Sequence, residues 1–161
     1  MLIIYENAGT GNNFEQLKPQ TREEIQNAYS TKAAEVENNV GGVKIEPNLS
    51  SQQTIQQIKA EADNLKFSNE SAAIYHTEKH YNEFPPSQKI SENKFNNYWQ
   101  SAIETIKKSQ NVTSSYDQLS GSRSFTFKHI YQEGEDTYKL QTIVGVSEDG
   151  TVDIKTYFNF K

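Results

Sequence analysis

The spacing of apolar residues changes near Gln110, and this change constrains the fold more than any other feature of the chain. Before it, Ile55, Ile58, Ala62 and Leu65 recur at helical spacing, as do Phe95, Tyr98, Trp99, Ala102, Ile103 and Ile106, so each set lines one side of a helix. After it, Ser122 to Tyr131, Tyr138 to Val146 and Thr151 to Phe160 are aromatic and β-branched runs of strand type. Glu133-Gly134-Glu135-Asp136 and Glu148-Asp149-Gly150 separate them as hairpin signals. Helices followed by a meander imply an α+β fold, with helices on one face of an antiparallel sheet of three or more strands.

The punctuation refines this picture. Thr21-Arg22-Glu23-Glu24 has the capping-box pattern, and Ile25, Ala28, Tyr29, Ala33 and Val36 continue it as a helix. Val40 to Ser51, with Gly41-Gly42 and Pro47, reads as a linker. A further helix is expected from about Asn69 to Tyr81, and Pro85-Pro86 stops it because proline cannot continue the hydrogen-bond ladder. The organisation expected is a helical lead, connector or cell-entry segment over 1–67 and a functional domain over 68–161.

Composition excludes several chemistries. The chain has no cysteine, which removes disulfides, thiolate metal sites and thiol nucleophiles, and lets a chain cross a membrane without redox steps. No apolar run approaches the length of a membrane span, and the Met1 to Tyr5 run is too short for a signal-peptide core, so no stable membrane insertion is expected. The net charge of −5 argues against a strong nucleic-acid binder. The acidity is uneven, however: residues 1–75 hold 6 basic against 10 acidic side chains, and residues 76–161 hold 10 against 11. The second half can therefore bind RNA through a local patch, with modest and salt-sensitive affinity.

His76-Thr77-Glu78-Lys79-His80 places two imidazoles on one helix face, within reach of one metal ion. A zinc-peptidase helix needs glutamate directly after its first histidine, where this chain has Thr77. A metal-dependent hydrolase using His76 and His80 is one reading. A noncatalytic binding or immunity-type module, consistent with the acidic balance, is another.

A third reading rests on the order of motifs across residues 75–161. Lys79-His80-x-x-Glu83-Phe84, then a helix with Tyr98 and Ala102, then a last strand with Asp149-Gly150-Thr151-Val152-Asp153-Ile154-Lys155-Thr156-Tyr157-Phe158, resembles the ribonuclease domains of bacterial polymorphic toxins, assigned to the barnase/EndoU/colicin/RelE-like group. The chain departs from the commonest form by two extra residues between Asp149-Gly150 and Thr156-Tyr157-Phe158, and by Asn159-Phe160 where Lys-Pro is frequent. Val36-Glu37-Asn38-Asn39 also resembles the tetrapeptide that opens the variable toxin region of contact-dependent growth inhibition proteins in Gram-negative bacteria.

The resemblance implies an endoribonuclease needing no metal or cofactor, with RNA, usually tRNA, as substrate. It also implies a cognate immunity protein as partner, and delivery by secretion or from the cell surface into the target-cell cytoplasm. His80 is the candidate acid or base, because an imidazole can serve either way near neutral pH. Lys79 or Arg123 is placed to hold phosphate, with Arg the better bidentate partner. Thr156 and Tyr157 complete the catalytic candidates, and Lys155, Lys128 and Ser124 are the substrate-binding ones. In an ideal strand Thr156 shares the face of Val152 and Ile154, under the helices, while Lys155 and Tyr157 face outward; the resemblance favours Thr156 as the active residue, and a bulge would reconcile the two. On the preceding strand Arg123 and His129 share one face and Ser124, Thr126 and Lys128 the other, either of which could be exposed. Each of these residues also has an ordinary role as a solvated or packing side chain.

Overall fold

A computed structural model of the chain describes residues 23–24, 26–28, 30–31, 43–88 and 94–159. Those described between 23 and 31 are helical; the rest of the helix expected to Val36, the Val36-Glu37-Asn38-Asn39 motif and Phe160 lie outside the described residues. The fold is α+β. In chain order, β1 (Val43–Lys44) precedes α1 (Ser51–Ala60), β2 (Lys66–Phe67), α2 (Glu70–His80) and α3 (Lys94–Lys108), and four strands follow: β3 (Asn111–Asp117), β4 (Ser122–Glu133), β5 (Asp136–Val146) and β6 (Thr151–Asn159). None of the described helices is long and apolar enough to cross a membrane.

Local chemistry sets the helix ends. Ser50 and Gln53 form a reciprocal capping box at the start of α1, and the Asn69 side chain accepts from the Ala72 N–H at the start of α2. A 3₁₀ turn, Tyr81–Glu83, follows α2 before Pro85 and Pro86.

The strands run in the order β1-β6-β5-β4-β3, with β2 pairing in parallel to β6. The β3–β4, β4–β5 and β5–β6 pairs are antiparallel. The division expected at residue 67 falls inside this unit. Val43 and Lys44 pair with Val152 and Thr151, Lys66 and Phe67 lie beside Asp153 and Ile154, and Val43, Ile45, Ile58 and Leu65 are buried in the same core as the meander. Apolar burial therefore joins residues 43–67 to α2, α3 and the four long strands. Gly150 permits the close approach of the first segment: it has φ 92°, its carbonyl accepts from the Ile45 N–H at 2.9 Å, and a Cβ there would collide with the Ile45 carbonyl.

α3 lies on one face of the sheet over Phe125, Phe127, Leu140, Val144 and Tyr157, all fully buried. Two buried polar atoms on this side pair with backbone: Thr142 Oγ1 donates to the Ala102 carbonyl at 2.9 Å, and Trp99 Nε1 to the Leu65 carbonyl at 3.2 Å. The opposite face, carrying Thr113, Ser124, Thr126, Lys128, Gln141, Ile143, Thr156 and Phe158, is half-buried or exposed throughout.

Between these faces β6 changes register. Val144 pairs with Ile154 but Ile143 pairs with Thr156, so Lys155 is the extra residue of a β-bulge. The bulge reverses the alternation downstream and corrects the ideal-strand expectation: Tyr157 turns under the helices and Thr156 turns to the open face.

Candidate active site at the rim of the open sheet face

The buried side of α2 is formed by Ala73, Ile74 and Thr77, continued by Tyr81, which leaves His76 and His80 together on a half-buried flank. That flank meets the far end of β6, where the His80 ring lies 5.8 Å from the Phe158 ring. The rings of His76 and His80 are nearly parallel, 12° apart in plane with centroids 5.7 Å apart.

Glu83 fixes this corner. Its Oε2 is 2.9 Å from His80 Nδ1, and its Oε1 accepts from the Asn159 N–H at 3.3 Å, so one carboxylate ties the end of α2 to the edge of β6. An ionised carboxylate only accepts, which makes Nδ1–H the donor and leaves Nε2 of neutral His80 with its lone pair free. The 3₁₀ turn after α2 brings the carboxylate to the ring, and the three-residue spacing of His80 and Glu83 is its sequence signal. Tyr98 secures the adjoining backbone: its hydroxyl donates to the Tyr157 carbonyl at 2.7 Å and accepts from the Tyr157 N–H at 3.1 Å. Burial raises the pKa of Tyr98 and of Tyr157, so neither phenol is an acid near neutrality.

His76 differs from His80 in having a buried Nδ1 with no hydrogen-bond partner. Burial first, and then the charges of His80 and Lys79, hold its pKa below the ordinary histidine value, so His76 resists protonation. Thr156 Oγ1 is also buried, two residues before Phe158 on the same face, and lies near enough to the Tyr98 hydroxyl to oppose the rise in that phenol's pKa. An unsatisfied buried polar atom typically costs about 1–3 kcal/mol, and His76 Nδ1 is such an atom on this flank.

The open face extends from this corner in rows. Phe158 is opposite Gln141, which is opposite Lys128; Thr156 is opposite Ile143, which is opposite Thr126. Ser124 lies beyond, opposite Gly145, over which the aliphatic chain of Lys155 passes so closely that a Cβ would collide with Lys155 Cε. Asp153 shares this end of the face, and its burial raises its pKa against the opposing pull of Lys155 and Lys66.

The structure thus brings His80, Thr156, Lys128, Ser124 and Lys155 to one side of the sheet. Lys79 is exposed on α2, with its ammonium 5.5 Å from the Tyr75 ring centroid. Two other candidates lie elsewhere. Tyr157 is fully buried, stacked on Phe84 at 4.5 Å. Arg123 is on the helix-bearing face at the opposite end of the strands, where its guanidinium donates to the Leu49 and Pro47 carbonyls at 3.0 and 3.4 Å and lies over the Phe125 ring. Strand parity places Arg123 there, and the bulge at Lys155 turns Tyr157 inward. His129, also on the helix-bearing face, is held below its ordinary pKa by burial and by the Lys108 charge.

Among the described residues no group of three or more His, Cys, Asp or Glu side chains converges as a metal site. Of the histidine pair, His80 has Nδ1 committed to Glu83. No known family model, curated protein or solved structure matches the chain.

Proposed function

We propose that the domain is a metal-independent endoribonuclease of the bacterial toxin type, with tRNA as its expected substrate and a cognate immunity protein as its inhibitor. The observation that carries this reading is the Glu83-oriented His80 at the rim of an open, polar sheet face that bears Thr156 and Lys128. RNA is cleaved without a metal when a base takes the ribose 2′-hydroxyl proton and nearby donors steady the charged phosphorane. His80 Nε2 accepts that proton as the 2′-oxygen attacks phosphorus and the bond from phosphorus to the 5′-oxygen breaks. The departing oxygen takes a proton from solvent, giving a cyclic phosphate and a 5′-hydroxyl. The Thr156 hydroxyl is the neutral donor for the phosphate, and Lys128 supplies positive charge further along the same face. Glu83 keeps the imidazole in the required tautomer and orientation.

The test is RNA cleavage by purified protein in EDTA, alongside His80→Ala. Wild-type cleavage should persist in chelator, and the variant should lose about 10²–10⁴-fold in rate, the usual contribution of a positioned acid or base. Complete inhibition by EDTA with recovery on adding zinc would favour the metal hydrolase built on His76 and His80. Full activity in His80→Ala at unchanged thermal stability would remove His80 from the chemistry.

A further inference from the structure

We propose that Phe158 is the seat of one nucleobase, stacked on its ring, and that Gln141 reads the edge of that base, so that the site prefers adenine next to the bond it cuts. The inference rests on the ribonuclease reading and specifies its substrate.

Phe158 is the one aromatic side chain on the open face among the described residues; the others in the meander lie on the opposite face or at the hairpin ends. The bulge at Lys155 puts it there, because an unbroken alternation would place Phe158 with Val152 and Ile154 in the core. Its ring is half-buried and tilted 36° to the His80 imidazole, with centroids 5.8 Å apart. A base stacked on this ring would bring its own ribose 2′-hydroxyl into the neighbourhood of His80. Stacking on an aromatic side chain is favourable for every base, so the ring by itself gives affinity rather than choice.

Gln141 supplies the choice. It is the cross-strand partner of Phe158 on the same face, at a separation where opposite side chains touch a common ligand. Its amide has a donor and an acceptor side by side, the pattern that matches N6 and N7 of adenine. Lys128, opposite Gln141 on the next strand, continues the row in the direction a phosphate backbone would follow. A binding step, a reading step and a charge therefore lie in line from His80 across three strands.

The probe is a single-stranded tetranucleotide carrying 2-aminopurine, with 2′-deoxyribose at the scissile position so that it binds without being cut. Quenching of its fluorescence reports stacking. Wild-type protein and His80→Ala should both quench and bind it. Phe158→Leu, which keeps apolar bulk without a π face, should bind about 10-fold or more weakly, and Phe158→Trp should retain binding. Circular dichroism and thermal melting establish that each variant is folded. Gln141→Ala should cut adenine-containing RNA with less preference over cytosine-containing RNA. If Phe158→Leu binds and cleaves like wild type while wild type cuts RNA, the stacking seat is wrong and the ribonuclease stands. If wild type neither binds the probe nor cuts RNA, the ribonuclease reading fails and the seat fails with it.

Discussion

The two faces of the sheet are cut from the same strands, yet one is closed by helices and large rings and the other is left open. On the helix-bearing side Thr142, Tyr98 and Trp99 each find a backbone partner within the core, and large rings close over them. On the open side Thr126, Lys128, Gln141, Ile143, Thr156 and Phe158 are each only half-buried, and at its rim the Phe158 ring lies 5.8 Å from the His80 ring. The first arrangement maximises packing and hydrogen bonding, and it explains why the fold holds. The second leaves its side chains accessible, which is the pattern expected where groups are kept ready for a ligand.

The strongest test of this contrast is Tyr157→Ala. The ring is buried against Phe84 and Tyr98, so its loss should lower stability by about 3–5 kcal/mol, read from the denaturant midpoint. A near-neutral effect would mean that the bulge at Lys155 is absent and Tyr157 faces solvent.

Arg123→Ala comes next. The guanidinium closes the Pro47 to Leu49 segment onto the covered face, and losing its hydrogen bonds should cost about 1–2 kcal/mol. RNA cleavage per folded molecule should stay unchanged. A large loss of cleavage at unchanged stability would return Arg123 to the active site and break the division of labour between the faces.

The smallest effect concerns pH. The folded-state pKa of His76 is depressed below 6.5, so the unfolded chain binds its proton first as pH falls. The stabilisation is present above pH 6.5 and is lost as pH drops from there toward the folded pKa. Replacing His76 with glutamine should flatten that part of the stability profile. Melting temperatures between about pH 7.5 and 5 measure it; an unchanged slope would show that the ring is solvated.

Much of the covered side was legible in the sequence. The apolar spacing of Phe95 to Ile106 gives α3 and its buried stripe, and the glycine-containing hairpins give three strands of the meander. β3 escaped notice because Asn111 to Asp117 is exposed along almost its whole length, so no burial imposes an alternating pattern on it. β1 and β2, two residues each, are too short to carry a period at all. The histidine pair was visible as spacing along one helix, but the approach of Glu83 to His80 through the 3₁₀ turn and the neighbouring Phe158 were not.

What the sequence determined by itself is local: which segments coil, which extend, where each stops, and that His76 and His80 share one helical end. Capping, proline and apolar period act over a few residues and are written in consecutive positions. Which face of β6 carries Thr156 and which carries Tyr157 was decided only by the assembled sheet. A one-residue bulge costs little locally, but it inverts every side chain beyond it. Its place at Lys155 is set by fitting Ile154 and Tyr157 to the same covered face, across a register with β5 that no stretch of β6 contains alone.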